Sequence, residues 1–398
     1  FDIPVTPRGA GTGVTGGAIP VLGGAVLSLE KLNRIIEIDT DNMTATVEPG
    51  VKTGELQRQT LAKGLLYPPD PASLEDCSIG GNVAESAGGM RAVKYGTTKD
   101  YILGCEFVTP DGKIMRYGGK YVKNATGYNL LGILIGSEGT LAVITKLIVR
   151  LVPAPLETRD ILFSFDSLEK AVTGVSLISK SRVIPTAIEF MEENALEFVA
   201  RHNAVAIPLP DAKAHLLVQI DGNHPDELDR MESLIIGSLE GIAASHMTAR
   251  TADERALLWS ARRGIRSSIE KESPVFLAED CVVPRSAIPS FATEVKNLLR
   301  AKNVRSVLFG HAGDGNVHIN ALRDKLSDDE WEKIVPEIKK GIYSIALRHE
   351  GTITGEHGIG CIRKDYMGLA FSKDEINLMK RIKHAFDPKG ILNPGKVL

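Results

Sequence analysis

A glycine-rich stretch near the start of the chain limits most strongly what this polypeptide can fold into. Five of the nine residues from 9 to 17 are glycine, and the stretch reads Pro7-Arg8-Gly9-Ala10-Gly11-Thr12-Gly13-Val14-Thr15-Gly16-Gly17. Because glycine has no side chain, successive backbone N–H groups can converge here on one anion such as a phosphate. The stretch therefore predicts a phosphate-binding loop, and a flexible Gly/Thr loop is the alternative.

Gly11, Gly13 and Gly16 also match the G-x-G-x-x-G pattern of dinucleotide-binding Rossmann units. That pattern requires a helix to begin at the last glycines. Pro20, Gly23 and Gly24 follow closely and are incompatible with a helix there. The sequence therefore disfavours a NAD-dependent dehydrogenase.

Two further stretches of small residues follow in the same part of the chain. Residues 77–89 contain Gly80-Gly81 and Gly88-Gly89 around a predicted short helical turn, and residues 136–140 read Gly-Ser-Glu-Gly-Thr. Side chains this small let a planar ring or a phosphate lie directly on the backbone, although tight helix packing would also explain them. Three such loops in one region favour a large cofactor.

Composition excludes several classes of function. The 398 residues carry a net charge of −3 with no basic block, which gives no support for a nucleic-acid partner. No apolar run reaches transmembrane length. The four cysteines are far apart, which favours a reducing compartment. The chain starts at Phe1 in what reads as a continuing strand, so we expect that a preceding piece is missing from this numbering.

A change in pattern at Pro153-Ala154-Pro155 predicts a linker. Beyond it, strands alternate with amphipathic helices, which predicts an α+β layout with an antiparallel sheet covered by helices. The predicted strands are 161–165, 187–190 and 215–220, and the predicted helices are 167–181, 194–202 and 225–239. The last residues, 386–396, are rich in turn formers, and their Ile-Leu and Asn-Pro-Gly pattern predicts a tail held against a neighbouring segment.

Histidines are concentrated in two glycine-containing segments of the second half. His311 and His318 flank an Ala-Gly-Asp-Gly-Asn insert that should bend the backbone and let both imidazoles converge on one ion. Glu356 and His357 lie together between glycines. Two histidines and one carboxylate would suit a catalytic divalent metal such as zinc, and hydrogen-bonded core histidines are the alternative. Arg262, on a helical stretch, has the chemistry to bind a carboxylate.

Taken together, the three loops, the histidine segments and the Asn393-Pro394-Gly395-Lys396 tail resemble the FAD-linked oxidases related to p-cresol methylhydroxylase (PCMH) and vanillyl-alcohol oxidase. Within that superfamily the chain is similar to the group that contains D-lactate dehydrogenase, D-2-hydroxyglutarate dehydrogenase and the flavoprotein component of glycolate oxidase. The resemblance covers essentially all 398 residues. It implies an α+β protein with a PCMH-type FAD-binding domain at 1–152, a substrate (cap) domain with an antiparallel sheet at 153–345, and a C-terminal segment, 346–398, that carries Glu356-His357 and returns to the FAD domain.

The resemblance also implies roles for individual residues. The implied FAD contacts are Pro7, Arg8, Gly9, Ala10, Gly11, Thr12, Gly13, Gly16, Gly17, Pro69, Asp70, Ser78, Ile79, Gly80, Gly81, Asn82, Ala84, Gly88, Gly89, Glu138, Gly139, Ile144 and Asn393. The implied metal ligands are His311, His318 and Glu356, the implied base is His357, and the implied substrate contacts are Arg262 and Asn320.

Two departures from the family pattern refine these expectations. Thr12 stands where some relatives attach flavin covalently through a histidine, so we expect non-covalent FAD. Ala278 stands where the D-2-hydroxyglutarate enzymes carry a substrate lysine, which favours a smaller acid.

The implied activity is oxidation of a small (R)-2-hydroxy acid, D-lactate or glycolate, to the 2-oxo acid by hydride transfer to flavin N5. The alternatives are a D-2-hydroxyglutarate-type dehydrogenase, a non-catalytic FAD subunit of an oxidase complex, and an oxidase of aryl or sugar alcohols. The last class uses tyrosines and lacks the two-histidine loop. Implied partners are an iron–sulfur subunit or an electron-transfer flavoprotein, in a homodimer or hetero-oligomer. The implied location is the cytoplasm, with attachment to the inner membrane through partners.

Overall fold

The computed structural model describes residues 2–203, 205, 208–209 and 211–398, and it divides them into two compact units. Of the described residues, unit 1 comprises those within 2–89, 95–154 and 356–398, and unit 2 comprises those within 90–94 and 155–355. Phe1, on which the expectation of a continuing strand rests, lies outside the described residues. No helix in the described part of the chain is both long enough and apolar enough to cross a membrane.

Unit 1 is built on a five-stranded antiparallel sheet. The strands of unit 1, inside and outside this sheet, are β1 (Val5–Arg8), β2 (Ala25–Ser28), β3 (Ile35–Asp39), β4 (Thr44–Val47), β5 (Leu65–Leu66), β6 (Ile102–Val108), β7 (Ile114–Gly118), β8 (Val143–Arg150) and β9 (Val152–Pro153). The sheet has the order β3-β4-β8-β6-β7, while β1 pairs with β2 in parallel and β5 pairs with β9. Alternating buried residues of β4, β6 and β8 form its core, with Val47, Phe107 and Leu147 almost fully buried.

Short helices lie between the strands in the first part of the chain. They are α1 (Thr53–Leu61), α2 (Ile79–Glu85), α3 (Ala92–Tyr95) and α4 (Leu130–Leu134). Helix α2 begins at Ile79, before the Gly80-Gly81 pair that we expected to precede it. The reason is that Ser78 caps the helix by accepting a hydrogen bond from the Gly81 N–H, while Gly80 lies so close to Pro49 that a Cβ atom would be 2.4 Å from the proline Cβ.

Unit 2 is a seven-stranded antiparallel sheet with helices, as the alternation of strands and helices predicted. Its strands are β10 (Glu157–Phe165), β11 (Ala187–Glu192), β12 (Ala214–Gly222), β13 (Ser245–Ala249), β14 (Phe276–Val282), β15 (Arg305–His311) and β16 (Asn316–Leu322), in the order β13-β10-β12-β11-β15-β16-β14. Its helices are α5 (Leu168–Lys180), α6 (Glu193–Asn203), α7 (Pro225–Ser238), α8 (Ala252–Arg263), α9 (Ile265–Glu272), α10 (Ile288–Ala301) and α11 (Asp328–Arg348).

The chain ends in unit 1 with α12 (Met367–Ala370), α13 (Lys373–Phe386) and a tail. The tail is held as predicted, because the Val5 N–H donates to the Ile391 carbonyl (2.8 Å) and the Asn393 N–H donates to the Val5 carbonyl (2.7 Å). Backbone bonds to β1 thus bring the last residues back to the first strand.

Candidate active site

The first glycine-rich stretch follows β1 and leaves it as a loop, not as a helix. Gly11 and Gly16 adopt left-handed backbone conformations (φ +72° and +78°) that disfavour other residues. Gly11, Thr12 and Gly13 are exposed, whereas Thr15 is fully buried and anchors the loop. The loop therefore presents bare backbone on one side and is fixed on the other.

The second stretch lies against the first. A Cβ atom on Gly9 would lie 2.4 Å from the Ser78 hydroxyl, so the backbone of the first loop approaches the N-terminus of α2. Inside α2, Asn82 donates to the Thr53 hydroxyl at 2.7 Å. Gly89 (φ +141°) lies so close to the Asp70 carbonyl that a Cβ would be 2.1 Å from it. The Pro69-Asp70 and Gly88-Gly89 segments therefore also lie together.

The Gly-Ser-Glu-Gly turn and the C-terminal tail complete the group. Gly139 approaches Pro7, with a Cβ position 3.5 Å from the proline Cγ. The Asn393 side-chain amide donates to the carbonyls of Gly17 (3.0 Å) and Glu138 (2.7 Å). Ile144, by contrast, is a core residue of β8 opposite Phe107. Unit 1 thus brings the three small-residue loops and the tail together.

The segment that carries Glu356 and His357 belongs to the same group of loops. The Thr15 hydroxyl donates to the His357 carbonyl (3.3 Å), and the Cys361 N–H donates to the Thr15 carbonyl (3.0 Å). A Cβ on Gly88 would lie 2.8 Å from a carboxylate oxygen of Glu356. The predicted base therefore lies on a segment bonded directly to the first glycine-rich loop.

Two carboxyl groups, the half-buried Glu85 and the buried Glu138, lie among these loops. Burial and the neighbouring Glu138 raise the pKa of Glu85 to about 8, and the Arg363 cation opposes that shift. Burial also raises the pKa of Glu138, against the lowering effect of N–H bonds from Ile359 and Gly360. Nothing in the sequence pattern identified Glu85, because its partners come from distant parts of the chain.

In unit 2 the two histidines face each other across a hairpin. Residues 312–315 turn β15 into β16, and the rings of His311 and His318 have centroids 5.2 Å apart. Both side chains are buried. The predicted bend of the backbone is confirmed, and it brings the imidazoles to one place.

Glu189 of β11 orients two of the predicted site residues. Its carboxylate accepts from the Arg262 Nε atom (2.7 Å) and pairs with Nδ1 of His311 (2.7 Å). All three side chains are buried, so the guanidinium and the carboxylate compensate each other's charge. Glu189 was not among the site residues predicted from the sequence, although a lone acid in the apolar run 187–191 was an available signal.

Register places the remaining candidates of unit 2 on the same face of the sheet. Asn320 of β16 is paired with Ala278 of β14, and His318 is paired with Asp280. Because residues directly opposite in antiparallel strands point to the same face, Ala278 and Asp280 lie beside the predicted substrate and metal residues. Asp280 is fully buried and accepts the Gly355 N–H at 2.8 Å.

These features define a two-unit α+β protein with a loop-built cofactor cradle in one unit and a histidine hairpin in the other. Solved p-cresol methylhydroxylase with substrate bound has the same fold, with a TM-score of 0.81, 17% identity, and coverage of 99% of this chain and 84% of that one. The FAD binding domain family matches residues 1–118, and the family of FAD linked oxidases, C-terminal domain, matches residues 154–397. The chain belongs to the FAD-linked oxidases.

Three individual relatives match almost the whole length of this chain. Glycolate oxidase subunit GlcD of Bacillus subtilis is 40% identical over 99% of this chain and 84% of its own length. D-lactate dehydrogenase of Anaerostipes hadrus is 37% identical over 99% and 84%. D-2-hydroxyglutarate dehydrogenase of Xanthomonas citri pv. viticola is 34% identical, also over 99% and 84%. The resemblance inferred from the motifs is confirmed, and the chain is an FAD-linked oxidoreductase.

Proposed function

We propose that this protein oxidises a small 2-hydroxy acid, either D-lactate, which has the (R) configuration, or the achiral glycolate, to the 2-oxo acid with FAD as the electron acceptor. The observation that carries the proposal is the bond from Thr15 to the His357 carbonyl, which ties the candidate base to the candidate phosphate loop. The names of the relatives, glycolate oxidase subunit GlcD and D-lactate dehydrogenase, support this substrate class.

The residues of unit 1 fit FAD held without a covalent bond. Bare backbone at Gly11 and Gly13 offers N–H groups for a diphosphate, and close backbone approaches at Gly9 and Gly89 leave no room for a Cβ atom. Thr12 carries no nucleophile comparable to a histidine ring. When bound, FAD supplies the two-electron acceptor of the reaction.

We propose that His311, His318 and Glu356 hold a divalent metal ion, with zinc favoured by the ligand types. The fit rests on Glu189, which pairs with Nδ1 of His311 and so orients Nε2 as the ligand atom. Asp280, the strand partner of His318, holds the Gly355 N–H, and Glu356 is the next residue. Such an ion supplies Lewis acidity that favours loss of the substrate hydroxyl proton.

The side chains have distinct roles in this proposal. Arg262 binds the substrate carboxylate through Nη1, because Glu189 engages Nε and Nη2, and no acceptor among the described residues is bonded to Nη1. Asn320 donates to the substrate. His357 takes the hydroxyl proton, since an imidazole titrates near neutral pH.

The decisive variant is His357→Asn. It should bind FAD as the wild type does but reduce the flavin more slowly by a factor on the order of 10²–10⁴. The measurement is anaerobic bleaching of the flavin absorbance after mixing with D- and L-2-hydroxy acids in a stopped-flow instrument.

His384→Asn is the matched control, since His384 is exposed on α13 of the same unit. It should bleach like the wild type. Fast bleaching of the His357→Asn variant would reject His357 as the base. Wild-type flavin that no 2-hydroxy acid bleaches would instead indicate a non-catalytic FAD subunit.

We further propose that the protein forms a homodimer or a hetero-oligomer. A protein partner, an iron–sulfur subunit or an electron-transfer flavoprotein, would reoxidise the flavin. The word "subunit" in the name of the Bacillus subtilis relative supports this assembly. We place the protein in the cytoplasm, attached to the inner membrane through partners. Fractionation and sizing of the native protein test both points, and a lone monomer in every fraction would contradict them.

A further inference from the structure

Glu138 stands at the centre of the loops of unit 1, in a conformation that its neighbours must stabilise. It has a left-handed backbone (φ +51°), which is unfavourable for a residue with a side chain, and it is buried. Its two carboxylate oxygens each accept one backbone N–H, from Ile359 and Gly360, at 2.7 Å. A single side chain thus binds two successive amides just after His357.

The segment that Glu138 binds has little regular structure of its own. Gly358 and Gly360 both have left-handed backbones (φ +81° and +54°), and residues 356–361 form no helix or strand. Glycine-rich backbone loses more conformational entropy on ordering than other backbone does. The position of His357 therefore depends on bonds from outside the segment.

Those bonds come from several directions, and Glu138 supplies two of them. Thr15 binds the His357 carbonyl, and the buried Arg363 guanidinium donates to the Gly358 carbonyl at 2.9 Å. Asn393 fixes the backbone of Glu138 itself by donating to its carbonyl. Of these contacts, only the Glu138 carboxylate holds two adjacent amides at once.

Glu85 is a second carboxyl group next to Glu138, and the two groups influence each other's protonation. A Cβ on Gly358 would lie 2.4 Å from a carboxyl oxygen of Glu85 and 2.9 Å from one of Glu138, so both acids face the same point of the segment. Two ionised carboxylates this close repel each other, and the raised pKa of Glu85 keeps it protonated near neutral pH. Burial raises the pKa of Glu138 as well, but the N–H bonds from Ile359 and Gly360 oppose that shift, and they are strongest when its carboxylate is charged.

We infer that Glu138 is a positioning residue for His357, which it sets against the first glycine-rich loop by binding the amides of Ile359 and Gly360. The inference rests on the proposed role of His357 as the base. It gives Glu138 a function other than the FAD contact that the family resemblance implies for this position.

The test compares Glu138→Gln with a matched control, Glu48→Gln. Glutamine keeps the size of the side chain but offers one acceptor oxygen in place of two, so one amide loses its partner. We expect flavin reduction to slow on the order of 10- to 100-fold, because a small misplacement of a catalytic group is this costly. The dissociation constant of FAD, measured by fluorescence titration, should change by less than about three-fold.

Glu48 is also a buried acid of unit 1, but it directly follows β4 and binds Arg34. Its glutamine variant should lower stability without slowing flavin reduction. Equal slowing in both variants, or parallel losses of FAD affinity and rate in Glu138→Gln, would overturn the inference.

Hydrogen exchange of the wild-type holoenzyme gives a second, independent measurement that needs no variant. Peptides that cover 357–361 should be protected at Ile359 and Gly360 as strongly as amides in the sheets. Exchange at the rate of an exposed loop would overturn the inference. If no 2-hydroxy acid reduces the wild-type flavin while both amides are protected, the proposed function fails and the structural role of Glu138 stands.

Discussion

For single residues, buried partners decide what a polar side chain can do. Arg262 was predicted from sequence as a carboxylate-binding residue, and its own neighbours gave no hint of Glu189, 73 positions away in the chain. With Glu189 present, only part of the guanidinium remains for a substrate. The same carboxylate fixes the ring orientation of His311. The residue types were therefore evident in the sequence, whereas their pairing was not.

Ala278 yields a prediction about substrate size. It lies opposite Asn320 on the face of the sheet that carries the candidate site. Ala278→Lys should place an ammonium group there and raise activity on D-2-hydroxyglutarate relative to D-lactate by roughly 10-fold or more, through one charge-assisted bond to the distal carboxylate. Ala278→Met, of similar length but uncharged, is the control. Steady-state kcat/KM on both acids is the measurement, and equal ratios in the two variants would contradict the prediction.

Among helices and strands, hydrophobic patterning identified the elements of unit 2 between Glu157 and Ser238 and misjudged some of their ends. Helix α5 runs from Leu168 to Lys180 against a predicted 167–181, and α7 from Pro225 to Ser238 against 225–239. Strand β10 begins at Glu157, four residues before the prediction, because its charged residues have distant partners. Arg159, for example, binds Glu232 of α7 at 2.9 Å. The spacing of apolar residues contains no information about an ion pair between residues that are distant in the chain.

The hairpin between β15 and β16 carries a prediction about one glycine. A Cβ on Gly313 would lie 2.8 Å from the Cβ and Cγ2 atoms of Val93, which belongs to the 90–94 segment of unit 2. Gly313→Ala should therefore cost about 1–3 kcal/mol in the free energy of unfolding of this unit and disturb the approach of the two histidines. Gly237→Ala, with open space around it on α7, should be neutral or stabilising by less than about 1 kcal/mol. Urea denaturation compares them, and equal midpoints would refute the clash.

In the molecule as a whole, the chain passes more than once between the two units. Residues 90–94 leave unit 1 after Gly89 and join unit 2, where Met90 is buried in the core and Lys94 forms an ion pair with Asp221. The last segment of unit 1 begins directly after Gly355. Neither crossing has a composition that marks it as a linker, unlike Pro153-Ala154-Pro155. The position of such a crossing depends on whether each side chain packs into the core of unit 1 or into the core of unit 2.

Global stability should depend on pH through Asp160 of β10. Its side chain is fully buried, and burial raises its pKa to about 6. The folded state therefore binds more protons than the unfolded state between about pH 4 and pH 6, so stability falls as the pH rises through that window and does not recover above it. Asp160→Asn, which cannot ionise, should remove on the order of 1–3 kcal/mol of this pH dependence.

The exposed Asp253 on α8 supplies the control, and Asp253→Asn should leave the dependence intact. Urea unfolding at pH 4 and at pH 7 is the measurement. An unchanged difference between the two pH values in the Asp160→Asn variant would show that Asp160 is not its source.

Local features of the fold follow from the amino-acid sequence without further information. Glycine at positions such as Gly11 and Gly16 dictates loops of bare backbone, and the insert between His311 and His318 dictates a hairpin, because both follow from the conformational limits of neighbouring residues. The joining of Arg262 to His311 through Glu189, and the grip of Glu138 on the amides beyond His357, arise instead from the three-dimensional arrangement of the chain. Those contacts depend on strand register and chain crossings over long sequence separations, and local composition carries no record of them.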